Sequence, residues 1–186
     1  MKKQLLLLLT TLLPMMANAE AVEIDGIYYN LNGAEAGVTS NPEKYSEEIV
    51  IPASVFYEDV TYAVTSIEGS AFKGCNALTA VTIPSSVTSI GYECFYGCSS
   101  LKTATIGNKE SDIASTSIGG RAFYYCHSLD SVLIGNNVKE IGRDAFYQCT
   151  NLASIYIPNS VKSIGSHTFL GCTSLTTVKL LTSLQV

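Results

Sequence analysis

The 186-residue sequence predicts an α/β repeat solenoid, and three observations support this prediction. Cysteine recurs at residues 75, 98, 126, 149 and 172, so that successive copies are 23, 28, 23 and 23 residues apart. Phenylalanine precedes each of these cysteines by three residues, and leucine follows each by three. A short segment in which apolar and polar residues alternate follows each leucine. A unit of this size cannot bury its apolar side alone, so the units must stack on one another.

Each unit is predicted to contain one short strand and one helical segment. Val81 and Ile83 alternate with polar residues, which indicates a strand that buries one side. Pro84 then ends the strand, as glycine does in two later copies. Between residues 90 and 101 the apolar positions recur at intervals of three and four, which favours a short helix or successive helical turns. Stacked units would form a parallel ladder of strands in which identical residues lie in columns.

The repeats also resemble a known family. The segments IPSSVTSIGYECFYGCSSLKTATI and IPNSVKSIGSHTFLGCTSLTTVKL are similar to the BspA-like bacterial leucine-rich repeat family, and the resemblance covers residues 64–180. It implies a leucine-rich-repeat horseshoe with parallel strands on the concave face and short helical turns on the convex face. It also implies a secreted or surface protein of a host-associated bacterium, since several members of the family are described as adhesins.

The chain divides into three parts. Residues 1–19 are predicted to be a signal peptide, because Lys2 and Lys3 precede an apolar run that ends before Ala17-Asn18-Ala19. The alternative, a membrane anchor, is disfavoured because the run has only about half the ~20 residues that span a bilayer. Residues 20–63 are predicted to be an N-terminal acidic cap, and residues 64–186 to be five repeats. The mature chain would be exported, and secreted or held at the cell surface.

Charge separates the cap from the repeats. Residues 20–68 contain ten acidic residues and one lysine, whereas residues 69–186 contain six acidic and eight basic residues. A strand with a turn after it is predicted at Ile24–Leu31, and a divergent first strand of the array at Glu48–Pro52. The formal charge of −5 argues against nucleic acid as a partner.

Three departures from the repeat stand out. Cys94 replaces an alanine that most other copies carry, and Glu68 replaces the glycine of the first copy. Five extra residues lie between Ile106 and Ile118, within the segment 107–117. This segment is either a tolerated insertion on the surface or a loop that contacts a ligand.

The cysteines are expected to be reduced and buried, since free cysteine is among the most buried residue types. The alternative is a disulfide, for which Cys94 with Cys75 or Cys98 is the best candidate. His127 follows Cys126 directly, but adjacent residues rarely pair as nucleophile and base. No metal-ligand spacing, phosphate loop or nucleophile elbow occurs. The sequence therefore predicts no catalytic residue, no metal, no cofactor and no enzymatic activity.

A ligand-binding face is predicted on the concave side of the solenoid, where strand residues point away from the core. These residues are mostly hydroxylic and uncharged, which suits a protein or glycan contact better than a phosphate. The predicted contact residues are Thr82, Thr103, Thr105, Ser131, Leu133, Ser154, Tyr156, Thr177 and Lys179. A second candidate surface, on the opposite side, contains Tyr96, Tyr124, Tyr125 and Tyr147. Both sets have a structural alternative, because threonine favours exposed strands and tyrosine can cover the edge of a core.

The sequence leaves three functions open. The first is a surface adhesin that binds a host protein or glycoprotein, and the second is a structural or scaffold protein with no ligand of its own. The third is a glycan-binding protein. The segment from Leu181 to Val186 is short and apolar with no obvious polar cap, so it is a minimal cap, the end of a truncated chain, or a place where a further module followed. Self-association at the C-terminal end is also expected under the scaffold hypothesis.

Overall fold

The computed structural model describes residues 21–107 and 115–181. The described residues form strands joined by turns and contain no helix. The strands are β1 Val22–Ile24, β2 Ile27–Asn32, β3 Glu35–Val38, β4 Ser46–Val50, β5 Ser54–Tyr57, β6 Val60–Ile67, β7 Ala77–Ile83, β8 Ser89–Ile90, β9 Thr103–Ile106, β10 Thr116–Ile118, β11 Ser131–Ile134, β12 Val138–Ile141, β13 Ser154–Pro158, β14 Ser163–Ile164 and β15 Thr177–Leu181.

Two parallel sheets run along the solenoid. The long-strand sheet has the order β4-β7-β9-β11 and is continued by the parallel pair β13-β15, with β13 packed beside β11. The short-strand sheet has the order β6-β8-β10-β12-β14, all parallel. Each repeat contributes one strand to each sheet, and the predicted parallel ladder is confirmed.

The predicted helical turns are wrong, because the backbone between the two sheets bonds partly to the next repeat. In the segment 91–101, Phe95 N donates to Ala122 O at 2.7 Å, and Gly97 N donates to Tyr124 O at 2.8 Å. The alternate amides of the segment bond three residues back, as in Cys98 N to Phe95 O at 3.2 Å. An α-helix would use every amide for bonds four residues back within one segment. Consecutive turns with this pattern reproduce the apolar spacing of three and four residues from which a short helix or successive helical turns were predicted.

Each turn segment contains two residues with left-handed backbone, four positions apart. The first positions are Ser70, Glu93, Arg121, Asp144 and His167, and the second are Gly74, Gly97, Tyr125, Gln148 and Gly171. Glycine adopts this conformation without a steric penalty, which accounts for its presence at three of the five second positions. These positive φ values change the direction of the backbone between the hydrogen bonds that it makes to the next repeat. A helix therefore cannot continue through the segment.

A column of glycines brings consecutive repeats into backbone contact at the end of the short-strand sheet. A Cβ on Gly142 would lie 2.5 Å from Gly120 N and 2.7 Å from Gly119 C. A Cβ would also lie too close to backbone atoms at the equivalent glycines of other repeats, Gly91, Gly119 and Gly165. Glu68 stands at this position in the first repeat, where its carboxylate instead accepts a hydrogen bond from Asn30 Nδ2 at 2.8 Å. The departure at Glu68 therefore marks the boundary with the cap.

Stacked phenylalanines form the centre of the core. All but the last are fully buried, and ring centroids are 4.7 Å apart for Phe72 and Phe95, and 4.9 Å apart for Phe95 and Phe123. Tyr45 closes the column at the N-terminal end, 4.4 Å from the Phe72 ring, and its hydroxyl donates to Thr39 O at 2.7 Å. Burial of such rings supplies much of the hydrophobic stabilisation.

The N-terminal strands cover the start of the solenoid. Strand β4 lies parallel to β7, at the predicted divergent strand. The strand predicted at Ile24–Leu31 is instead a hairpin of β1 and β2, because Asp25 and Gly26 both have positive φ, as a two-residue hairpin turn requires. Strands β3 and β5 flank β6. The division of the chain at residues 63 and 64 stays a prediction.

The last described strand differs in its exposure from the equivalent strand of the preceding repeat. Val178 and Leu180 of β15 are 49% and 68% exposed, whereas the equivalent Ile155 and Ile157 of β13 are buried. Within the described residues, no further strand pairs with β15.

We expect Gly142→Ala to destabilise the chain by about 1–3 kcal/mol, since the new methyl group would press on the preceding repeat's backbone. Gly120→Ala is the matched control, because its Cβ would meet its nearest atom at an acceptable 3.4 Å. Urea denaturation of both variants measures the difference. Equal stability of the two variants would contradict the close backbone approach at Gly142.

Candidate functional site

The predicted contact residues form two columns on the outer surface of the long-strand sheet, here called the long-strand face. In one column Thr103 pairs with Ser131, and in the other Thr105 pairs with Leu133. The buried residues between them, such as Ala104 and Val132, point to the core. All nine predicted residues are partly or fully exposed: Thr82, Thr103, Thr105, Ser131, Leu133, Ser154, Tyr156, Thr177 and Lys179.

The C-terminal half of the long-strand face contains its large side chains. Tyr156 and Leu133 are 46% and 39% exposed. Lys179 lies opposite Tyr156 in the register of β13 and β15, with its Nζ 5.6 Å from the centroid of the Tyr156 ring. This is a cation–π distance, and it positions the single charge among the predicted contact residues beside an aromatic surface. The N-terminal half of the face contains smaller threonines.

The tyrosines of the second candidate surface form a stack on the turn segments. Tyr124 is stacked on Tyr147 at 4.5 Å and on Tyr96 at 5.2 Å, and Tyr125 meets Tyr124 edge-on at 4.4 Å. Lys73 Nζ lies 4.8 Å from the Tyr96 ring centroid. Removal from water raises the pKa of Tyr124 to about 12. Within the stack, Tyr125 remains 37% exposed.

A line of alternating charges follows the first left-handed positions of the turns. Lys73 Nζ contacts Glu93 Oε2 at 2.6 Å, and Arg121 lies 3.5 Å from both Glu93 and Asp144. Asp144 also lies 3.6 Å from His167 Nδ1. The hydrogen bond from Lys73 lowers the pKa of Glu93, which is therefore ionised at neutral pH.

Sequence analysis missed this charged line. Its signal was present, because the residues that follow the column glycines by two positions alternate in sign from Glu93 to Arg121 to Asp144. The alternation becomes meaningful only when the repeats are known to stack with their backbones in contact.

The cysteine column is a line of hydrogen-bond donors. Cys98 Sγ donates to Phe72 O at 3.0 Å, Cys126 Sγ to Phe95 O at 3.1 Å, and Cys149 Sγ to Phe123 O at 3.2 Å. All six cysteines are free and buried, and Cys94 takes the place of the small alanine of other repeats. Burial raises the pKa of the Cys94, Cys126 and Cys149 thiols. Protonated thiols are the form that these contacts require, because a thiolate cannot donate.

The other residues that the sequence analysis considered for chemistry do not lie together at one site. His127 is exposed and contacts the Tyr125 ring at 5.5 Å. Across residues 21–107 and 115–181, no group of three or more histidine, cysteine, aspartate or glutamate residues is arranged to hold a metal ion. Most of the 107–117 loop lies outside the described residues, and so do the predicted signal peptide and every residue after Leu181. No helix in the described part is long and apolar enough to cross a membrane.

The repeat geometry agrees with a comparison against known families. Residues 51–117 and 111–186 match the BspA type leucine rich repeat region, in six copies. The chain belongs to this family. The match covers more than half of the chain, and its first segment begins at residue 51.

Solved structures of bacterial proteins show a similar fold. A leucine rich cell surface protein from Faecalibacterium prausnitzii is 34% identical with a TM-score of 0.73, and the match covers 89% of this chain and 44% of that one. The leucine rich repeat protein of T. pallidum is 30% identical with a TM-score of 0.73, covering 86% and 71%. A leucine-rich repeat protein from Bacteroides ovatus is 35% identical with a TM-score of 0.68, covering 86% and 41%.

This chain spans less than half of the length of the Faecalibacterium and Bacteroides proteins. No curated protein matches it.

The buried thiols predict a loss of stability in alkali. A thiol whose pKa is raised by folding keeps its proton while the unfolded thiol ionises, so the unfolded state binds fewer protons and the free energy of unfolding falls as pH rises. The loss begins near the ordinary thiol pKa of 9.0 and reaches about 1 kcal/mol for each of Cys94, Cys126 and Cys149 at about pH 9.5.

Urea denaturation under reducing conditions at neutral pH and at about pH 9.5 measures this loss. Cys149→Ala should reduce the loss by the share of one thiol, although the variant is less stable at both pH values. A free energy of unfolding that stays constant over this range would show that the thiols are not held protonated.

Proposed function

We propose that this chain is a secreted or cell-surface, non-catalytic binding module that contacts a host protein or glycoprotein through the long-strand face. Membership of the BspA type repeat family supports a binding scaffold, and the cell-surface description of the Faecalibacterium relative supports the location. The predicted signal peptide at residues 1–19 supplies the export route. Fold alone does not define a ligand, so the proposal depends on the chemistry of the face.

The observation that carries the proposal is the combination of hydroxyls and exposed apolar groups on one regular surface. Thr103, Thr105 and Ser131 offer hydrogen bonds in fixed register, without a field that would steer small ions. A protein or glycan surface can satisfy these groups over a large area, whereas a small ligand would need a concave pocket.

Tyr156 is the proposed anchor of the contact. Tyrosine is enriched among residues that contribute most to binding, since its ring supplies apolar area and its hydroxyl a directed hydrogen bond. The contact with Lys179 fixes one side of the ring, and the exposed Leu133 extends the apolar patch. Threonines toward the N-terminal half would contribute specificity rather than most of the affinity.

A scaffold role is the second candidate, and the exposed side chains of Val178 and Leu180 favour it. A second copy of this chain could pair with β15, with which no further strand pairs among the described residues. In that case the long-strand face would bind nothing, and association would depend on protein concentration. Glycan binding by the long-strand face is the remaining alternative.

A binding screen tests the proposal. The chain from residue 20 onward is measured against immobilised host matrix proteins and a glycan panel, together with a Thr105→Ala/Tyr156→Ala double variant. We expect saturable binding to a protein or glycoprotein that the double variant weakens at least about tenfold, a typical loss at a binding hot spot.

The matched control is Phe56→Ala with Thr61→Ala, which removes an exposed aromatic ring and a threonine from the β5–β6 hairpin. This control should bind like the native chain. Binding that both double variants retain would exclude the long-strand face. The absence of binding, together with concentration-dependent self-association, would favour the scaffold role.

A further inference from the structure

A small cleft lies on the turn segments, away from the long-strand face. Its volume is about 180 Å³, and its lining is formed by Tyr92, Gly120, Arg121, Arg143 and Asp144. The cleft belongs to three consecutive repeats, so it exists only because these repeats stack with their turns in register. None of its residues contributes to the proposed binding face.

One wall of the cleft is an aromatic ring. Tyr92 is 53% exposed, and its ring lies against Gly120, where a Cβ would be 3.5 Å from the ring atom Cδ2. Arg121 donates a hydrogen bond from a terminal guanidinium nitrogen to the Tyr92 hydroxyl at 2.8 Å, which fixes the ring in place. The exposed part of the ring offers an apolar surface at the side of the cleft.

The opposite side of the cleft is cationic. Asp144 has only 8% of its side chain exposed, and its Oδ2 is shared between Arg121 Nε at 3.5 Å and Arg143 Nε at 3.4 Å. The Arg143 side chain is 67% exposed. Glu93 and Lys73 pair with each other at the neighbouring position. Two arginines facing one aspartate leave the cleft with one excess positive charge.

These features define the ligand by its chemistry. The excess positive charge favours an anion, and the guanidinium of Arg143 presents donors in the geometry that a carboxylate accepts. A dianion such as phosphate is less suitable because Asp144 would repel its second charge. The tyrosine ring favours a ligand with an apolar face, and the volume is close to that of one sugar ring. Asp144 can accept a hydrogen bond from a sugar hydroxyl.

We propose that this cleft binds a carboxylated sugar, with the carboxylate on Arg143 and the ring face on Tyr92. The site is separate from the long-strand face and does not depend on the function proposed for it. The two sources of this chemistry are hexuronic acids and sialic acids, and the experiment distinguishes them.

The test is titration of the ¹⁵N-labelled chain with D-glucuronate, N-acetylneuraminate and neutral D-glucose, followed by NMR. We expect at least one carboxylated sugar to shift the amides of residues 92, 120, 121 and 143 saturably, and glucose to shift them at least about tenfold more weakly, because it lacks the charge. A response to only one acid identifies the source. Equal response to glucose, or no response to either acid, would overturn the proposal.

Variants separate the site from a general charge effect. Arg143→Gln should weaken binding at least about fivefold, and Arg143→Lys should weaken it less, since lysine keeps the charge but loses the planar pair of donors. Tyr92→Leu should also weaken binding while keeping an apolar side chain. Lys102→Gln removes an equal charge from an exposed position outside the cleft. Loss of binding in Lys102→Gln equal to that in Arg143→Gln would contradict the site.

Discussion

The hydrogen bonds between the backbones of consecutive repeats constrain every other feature of this protein. They continue from the two sheets into the turns, where Phe95, Phe123 and Phe146 each donate to the following repeat at 2.7 to 3.0 Å. These bonds fix the spacing between repeats all around the solenoid. A side chain at a given position must therefore fit against the side chains at the same position in the neighbouring repeats. This requirement selects rings that stack, glycines that allow backbone contact, and thiols that donate to the carbonyl of the phenylalanine in the preceding repeat.

The two proposed surfaces are consequences of the same stacking. On the long-strand face, the residue type at one position of the repeat changes along the solenoid, from threonine at position 105 to tyrosine at position 156. On the turns, the charges of Glu93, Arg121 and Asp144 alternate in sign along a column of closely spaced side chains. The positive charge of Arg143 is then in excess. In such a fold, the residues that differ between repeats determine function, whereas the residues that recur in every repeat determine stability.

Much of this could be predicted from the sequence, and the failures have a common cause. The column of cysteines, the inward strand residues and the outward Thr105 and Tyr156 follow from periodicity within one repeat. The short helix or helical turns predicted between 90 and 101 were wrong because an interval of three or four also fits a series of turns that bond to the next repeat, and only those bonds distinguish the two. The Arg121 and Asp144 pair and the cleft at Tyr92 were missed for the same reason, since they join residues of different repeats.

The account is tested most directly by locating the acceptor of one turn amide. A long-range HNCO experiment detects scalar coupling across a hydrogen bond and therefore identifies both partners. The account predicts that the amide of Phe95 correlates with the carbonyl of Ala122 in the next repeat. A correlation with the carbonyl of Gly91, four residues back, would show that the turn segment is a helix and would contradict the backbone ladder on which the stacking depends.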